Sequence, residues 1–228
     1  MKLSVLVPCY NEEKTIQIII DRILEQKYSN KEIIIIDDFS NDNTTDILKN
    51  IKNEKIKVIF NNKNYGKGFC LQKGIDASDG EIIIIQDADL EYDPNDYHKM
   101  INPIIEGHAD VVFGSRFLGS QEHRVLYFWH RVGNSILTII SNIFSNLNLT
   151  DMECGLKAFK SNIIKKIELK ENRFGFEPEI TMKVAKLNLR IYEVGIRYFG
   201  RTYAEGKKIN WKDGVSAIRC IVKYFFAN

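Results

Sequence analysis

The chain has 228 residues, 44% of them hydrophobic and 27% charged, with a formal net charge of +2. That length permits one large domain burying about 70% of its unfolded surface, and so even a charge balance does not fit a nucleic-acid binder. Cys9, Cys70, Cys154 and Cys220, like His98, His108, His123 and His130, are scattered without CxxC or metal-ligand spacing, which argues against a disulfide framework or zinc site and for a reducing, cytoplasmic setting.

The start, MKLSVLVPCYNEE, has too short an apolar stretch for a secretory signal, and acids follow it at once. No run reaches the roughly 18 apolar residues of a membrane-spanning helix, so the chain is not expected to span a membrane by itself. Leu3–Val7 reads as a strand. Glu13–Gln26 reads as a helix with Ile16, Ile19, Ile20, Ile23 and Leu24 on one face. Ile33–Ile36, four isoleucines in a row, fits a strand buried on both faces. Thr44–Ile51 predicts a helix, Ile56–Phe60 a strand, Gly66–Ala77 a helix and Ile82–Ile85 a strand. Pro94–Ile105 predicts a helix with proline in its first turn, and Ala109–Phe113 a fifth strand. This βαβα alternation predicts a parallel, doubly wound sheet. The rhythm breaks after Arg116. Arg131–Leu147 is helical, with apolar residues at 132, 136, 139, 140, 143, 144 and 147, a stripe that reads as core. Pro178–Leu187 and Asp213–Phe226 are further helices, and Ile191–Val194 a strand.

Ligands in open parallel sheets bind beyond the carboxyl ends of the strands. Three such ends carry unusual residues: Pro8-Cys9-Tyr10-Asn11-Glu12, Asp37-Asp38 and Gln86-Asp87-Ala88-Asp89. Each alone fits turn chemistry, since Asp and Asn favour turns and caps. Three on one edge point to a site. No GxGxxG or GxxxxGK[ST] follows the first strand, which weighs against dinucleotide, P-loop and nucleotidyltransferase sites. Asn64-Tyr-Gly-Lys-Gly68 opens a helix whose N–H groups suit an anion, with Lys67 beside them.

The segments VPCYNEE (7–13), DDFSNDNT (37–44), NYGKG (64–68), GEIIIIQDADLEYDP (80–94), GSRF (114–117), DMECGLKAF (151–159) and GRTYAEGKK (200–208) resemble, in that order, a family 2 glycosyltransferase of the GT-A fold. Within that family the similarity is to the dolichyl- and polyprenyl-phosphate mannosyl- or glucosyltransferases. The resemblance implies one GT-A domain over 1–228, a mostly parallel central sheet flanked by helices. Residues 1–115 would form the nucleotide-sugar half, 116–200 the acceptor half and 201–228 a basic amphipathic tail. It further implies that Asp87 and Asp89 hold Mg²⁺ or Mn²⁺ on the donor's diphosphate, with Glu91 as a further ligand, although the polyprenyl-phosphate subgroup often carries Gln there. Hard divalent ions take oxygen ligands and phosphates. Pro8, Tyr10, Glu12, Asp38, Lys67 and Ala88 would complete the donor site, with Tyr10 against the base and Glu12 and Asp38 on ribose or base.

The acceptor class stays open at this point. A lipid phosphate is already largely dianionic, with a second pKa of about 6, and needs cations rather than a base. By resemblance Arg116 and Arg201 bind it, and Arg131 is a further candidate; arginine's fork suits phosphate. A sugar hydroxyl needs a positioned base, for which Glu177, Glu179 or Asp151 is available. From Arg201 to Asn228, six Lys/Arg face two Asp/Glu. There Lys207, Lys208, Lys212, Arg219 and Lys223 interleave with Trp211, Ile218, Val222 and Phe225, as in a helix lying on a membrane surface. The expectation is an inverting, metal-dependent transfer of a hexose from a GDP- or UDP-linked sugar to a polyprenyl phosphate, by an enzyme peripheral to the cytoplasmic face or recruited by a membrane partner. A family 2 enzyme acting on a glycan hydroxyl in surface polysaccharide synthesis is the alternative, and a nucleotide-sugar-binding regulator without turnover a third.

Overall fold

The computed structural model describes residues 1–119, 122–125, 127–202, 205 and 211–227, with 211 and 212 as backbone only. Tyr203, Lys207 and Lys208 and the side chains of Trp211 and Lys212, all part of the expected tail, lie outside the described residues.

The chain runs β1 (Leu3–Cys9), α1 (Ile16–Leu24), β2 (Lys31–Asp37), α2 (Thr44–Lys49), β3 (Ile56–Phe60), α3 (Lys67–Ala77), β4 (Ile82–Ile85), a 3₁₀ turn (Pro94–Asp96), α4 (Tyr97–Ile105), β5 (Val111–Ser115), α5 (Phe128–Ser145), β6 (Lys157–Lys160), α6 (Ser161–Ile164), α7 (Phe176–Ala185), β7 (Ile191–Gly195) and α8 (Trp211–Phe226). The strands form one sheet in the order β3-β2-β1-β4-β6-β5-β7. Alternation along the isoleucine-rich strands sorts side chains to two faces. Val5, Val7, Ile33, Ile35, Ile82 and Ile84 pack beneath α1 and α4, while Leu6, Ile34, Ile36, Ile83 and Ile85 pack beneath α3 and α7. β-branched residues fit such a doubly covered sheet. Of the face expected on the first helix, Ile16, Ile19, Ile20 and Ile23 are buried and Leu24 packs partly against the core.

The sheet is mostly parallel, as expected, and β6 is the strand that runs against the others. β6 lies antiparallel to both β4 and β5. Its sequence, KAFK, begins and ends in lysine and does not read as a central strand. Lys157 is nevertheless fully buried: its ammonium donates to the carbonyls of Met152 (3.1 Å) and Cys154 and lies 5.0 Å from the Phe113 ring centre. Burial lowers its pKa, with Glu177 opposing. These bonds hold residues 152–154 at the sheet edge.

The helices of the second half form a layer of α5, α7 and α8. The stripe on α5 is not wholly core as expected. Leu137, Ile140 and Phe144 pack on Met152, Met182, Cys220, Ile221 and Tyr224, but Ile136, Ile139 and Ile143 are 50%, 57% and 73% exposed. The helix sits at the margin of the layer, so one side has no neighbour among the described residues.

Glu171 clips α8 to this layer. It accepts from Arg219 (2.8 Å), Lys223 (2.8 Å) and the Tyr224 hydroxyl (3.0 Å). Although partial burial works the other way, hydrogen bonds from Lys223, Tyr224 and Arg219 bring its pKa from the ordinary 4.5 to about 2. A depressed carboxylate contributes stability above its unfolded value and loses it as pH falls to the folded one. The melting-temperature gap between wild type and Glu171→Gln should therefore be full above pH 4.5 and close toward pH 2. A gap that stays constant with pH would contradict this clip.

Candidate active site

The three unusual strand ends meet at one edge. Cys9 and Asp37 are partners in the β1–β2 register, and Leu6 pairs with Ile85 at the end of β4, which places Tyr10–Glu12, Asp38 and Asp87–Asp89 side by side. Asn11, Phe39 and Leu90, one beyond each end, all have positive φ (52°, 63° and 65°). The chain thus turns sharply as each strand stops, in a conformation costly for Phe and Leu. A cleft of about 820 Å³ opens there, lined by Pro8, Tyr10, Glu12, Asp38, Lys67, Asp87, Ala88, Asp89 and Glu91 on this side.

Within the cleft the acids divide into two groups. Lys67 reaches Asp87 at 2.8 Å and Glu177 at 2.9 Å. Burial works against its charge, but Asp87 and Glu177 raise its pKa well above the ordinary lysine value. A Cβ at Gly155 would push against Asp87 Oδ2, so a side chain there would displace that carboxylate. The second group surrounds Arg201, which reaches Asp89 at 2.9 Å, Glu12 at 3.2 Å and Glu91 at 3.7 Å. Burial, with Asp87 and Glu91 beside it, pushes Asp89 up to about 7 even against Arg201. Five carboxylates therefore face two cations, an imbalance that favours a further positive charge. The available ligands are all oxygen, as a hard divalent ion requires, and a guanidinium already stands among them. Among the described residues no three such side chains form a ready coordination shell. Asp87 and Asp89 thus fit a cation that keeps phosphate oxygens as its other ligands.

Other predicted site residues are placed as follows. Asp38 lines the cleft but is fully engaged: it accepts from Asn61 (2.8 Å) and from the Tyr65 (2.9 Å) and Gly66 (2.7 Å) N–H groups. It shapes the NYGKG loop, where Gly66 takes a φ of 102°. The first turn of α3 is covered by the chain itself, since Phe69 N–H donates to Asn172 O. Arg116 lines the cleft, and its fork is spent on the fully buried Asp151 at 2.6 and 2.7 Å. Burial disfavours its charge, yet Asp151 raises its pKa far above the ordinary value. Arg131 is not part of the cleft lining; its guanidinium stacks over Phe117 at 5.1 Å. Glu179 is fully buried, accepting from the Lys170 and Glu171 N–H groups (both 2.7 Å) and pairing with Lys183. It organises the start of α7 and faces no ligand space.

One lining residue was not legible in the sequence. Glu153 stands in the cleft wall with its Oε1 shut from solvent and without a hydrogen bond. Burial first, then Glu177, pushes it up to about 7, with Lys157 and Arg116 opposing and Asp151 adding. The far wall comes from α5 and α8, through Trp129, His130, Asn134, Ile136, Leu137, Val215 and Ile218. Trp129, Ile136, Val215 and Ile218 are also 76%, 50%, 58% and 38% exposed, so the cleft passes without a break onto the open apolar side of these helices. No helix among the described residues is long and apolar enough to cross a membrane.

Comparison with known proteins agrees with this geometry. The model of glycosyl transferase family 2 matches residues 4–168. An uncharacterized protein of Methanocaldococcus jannaschii is 31% identical over 92% of this chain and 86% of its own length. The UDP-N-acetylglucosamine–dolichyl-phosphate N-acetylglucosaminyltransferase of Methanococcus voltae is 29% identical over 91% of this chain and 90% of its own length. The undecaprenyl-phosphate 4-deoxy-4-formamido-L-arabinose transferase of Proteus mirabilis is 28% identical over 90% of this chain, which spans 62% of that protein. In fold, the chain superposes over its full length on 79% of the glucosyl-3-phosphoglycerate synthase of Mycobacterium tuberculosis, solved with Mn²⁺, UDP and phosphoglyceric acid, with a TM-score of 0.76 and 17% identity. With the family model covering most of its length and an acid-edged cleft at the carboxyl ends of a GT-A sheet, this chain belongs to glycosyl transferase family 2.

Proposed function

We propose that this chain transfers a hexose from a UDP- or GDP-linked sugar to a polyprenyl phosphate at the cytoplasmic face of a membrane. One observation carries the acceptor class: the cleft that begins at the acids ends on Trp129, Ile136, Val215 and Ile218, apolar residues also exposed at the surface. A soluble glycan has no use for such an exit, whereas an isoprenoid chain does. The relatives named for dolichyl- and undecaprenyl-phosphate acceptors point the same way.

Asp87 and Asp89 would hold Mg²⁺ or Mn²⁺, which when bound neutralises charge on the nucleoside diphosphate. Lys67 fixes Asp87 in place, and Tyr10, Pro8 and Glu12 shape the nucleotide end of the cleft. The acceptor phosphate is its own nucleophile, so no side chain has to remove a proton. Its negative charge would be met by Arg201 and Arg116. A single in-line displacement inverts the anomeric centre and needs no covalent enzyme nucleophile. Incubation with radiolabelled nucleotide sugar and undecaprenyl phosphate should place the label in the organic phase. Label that stays aqueous with every lipid phosphate, under both UDP- and GDP-linked donors, overturns this reading.

A second reading rests on Glu153. A carboxyl near neutral pKa with an unfilled acceptor oxygen fits a general base for a sugar hydroxyl. Under that reading label enters soluble glycan, and Glu153→Gln abolishes the transfer.

The apolar side of α5 and α8 would rest in the lipid interface. Phe128, Trp129, Ile139, Ile143, Val222 and Phe226 are each 37% to 76% exposed, and α5 contains no acidic residue. Burying an isoleucine contributes about 1.5–3 kcal/mol. Ile139→Asp combined with Ile143→Asp should therefore weaken co-sedimentation with anionic vesicles at least about tenfold, without changing the melting temperature. Unchanged sedimentation would rule out this face as the docking surface.

A further inference from the structure

Glu91, one of the expected metal ligands, already accepts one hydrogen bond on each carboxylate oxygen from residues 198–201. Residues 198–201 run beside it as a strap across the cleft rim. The Phe199 N–H donates to the Glu91 carbonyl at 2.9 Å, and Tyr92 and Tyr198 form an antiparallel bridge. The Arg201 N–H donates to Glu91 Oε1 at 2.8 Å, and the Tyr198 hydroxyl to Oε2 at 3.3 Å. Main chain and both carboxylate oxygens of Glu91 therefore hold the strap.

Beyond that anchor the guanidinium of Arg201 enters the acid group. It donates to Asp89 Oδ2 at 2.9 Å and to both oxygens of Glu12 at 3.2 and 3.3 Å. Its Nε is shut from solvent with no hydrogen bond and stands 3.7 Å from Glu91, so the fork is not fully satisfied where it lies. A charged group with an orphan buried donor is poised for a better partner. Asp89 is the residue read above as a cation ligand, and Arg201 takes its Oδ2 while the Glu91 N–H takes Oδ1.

We propose that Arg201 is a stand-in cation, displaced from Asp89 when a divalent ion and nucleoside diphosphate bind, and that Glu91 is a positioning residue for Arg201 rather than a metal ligand. Glu91 keeps the Arg201 main chain at the rim while the side chain exchanges Asp89 and Glu12 for phosphate oxygens. Electrostatics favours the exchange: a divalent ion on Asp89 repels the guanidinium, and phosphate offers it bidentate acceptors. Metal loading and phosphate capture then share one element, and the coupling is reciprocal. This rests on the metal reading of Asp87 and Asp89 given above.

The test is Mn²⁺ binding to the full chain, followed by electron paramagnetic resonance of the free ion, with and without UDP or GDP. Without nucleotide, Arg201→Gln should bind Mn²⁺ about tenfold tighter than wild type, and added nucleoside diphosphate should narrow the gap. Arg201→Lys, which keeps a charge but loses the fork, should fall between them. Glu91→Gln should stay within about twofold of wild type, while Asp89→Asn loses Mn²⁺. Glu91→Ala should raise the acceptor KM at least about fivefold, with the larger part of the loss in KM rather than kcat, and Glu91→Gln should restore it. Thermal melts confirm that each variant is folded. Unchanged or weaker Mn²⁺ binding by Arg201→Gln overturns the exchange. Loss of Mn²⁺ by Glu91→Gln, or an unaltered KM in Glu91→Ala, overturns the anchor. Absence of Mn²⁺ binding by every form, with either nucleoside diphosphate present, overturns the metal reading and the exchange with it. Transfer to lipid is scored separately by organic extraction.

Discussion

Asp89→Asn is expected to remove Mn²⁺ binding and to lower turnover by roughly 10²–10³-fold, with the fold intact. The side chain keeps its shape, so packing at the end of β4 is unchanged. What is lost is a charge that the fold holds at a cost. Burial, Asp87 and Glu91 push Asp89 up to about 7, which means its ionised form is stabilised too little by Arg201 alone. A group held in this way destabilises the resting protein and is compensated when a cation arrives. Melting temperature in Asp89→Asn should therefore stay level or rise while activity falls. Titration calorimetry with Mn²⁺, a transfer assay and a thermal melt on one preparation check all three points. A variant that melts much lower while still binding Mn²⁺ would show Asp89 to be structural.

Arg116→Met is expected to cost about 3–5 kcal/mol of stability, the range for removing one partner of a buried ion pair. Asp151 is 0% exposed and receives the Arg116 N–H, Nε and Nη2. With the guanidinium gone, its charge has no cation at contact distance among the described residues. Asp151→Asn in the same chain removes the stranded charge and can still accept from the backbone N–H at position 116, so the double variant should regain a large part of the loss. Activity separates two roles for Arg116. If it also meets the acceptor phosphate, the double variant is stable and slow, with a raised acceptor KM. If its only task is to hold Asp151 and the strand end, activity returns with stability. Denaturant unfolding and steady-state kinetics on the single and double variants decide this.

Much of the first half of the chain was legible in the sequence because its signals are local. β-branched runs bounded by acids read as strands that stop at a ligand edge, and Ile33–Ile36 proved buried on both faces of the sheet. The ends at Tyr10–Glu12, Asp37-Asp38 and Asp87–Asp89 met because parallel strands in register bring their carboxyl ends together. The second half was less legible. KAFK reads as polar until its lysine is seen to donate to two buried carbonyls. The apolar stripe of α5 looks the same whether a second helix or a lipid covers it, and here its two edges have different fates. Glu153 carries no motif signal beyond its place in DMECG, and its raised pKa comes first from burial and then from Glu177, with Lys157 and Arg116 opposing.

The sequence by itself determined six of the sheet's seven strands, the acids at its edge and the family, because strand period, turn chemistry and strand-end composition act over a few residues. Only the tertiary structure decided which acid faces which cation. Lys67 joins Asp87 and Glu177 across 20 and 110 positions, Glu171 holds α8 from about 50 positions away, and Arg201 crosses 112 positions to reach Asp89. Coulomb energy depends on distance in space and on burial, and neither is written along the chain.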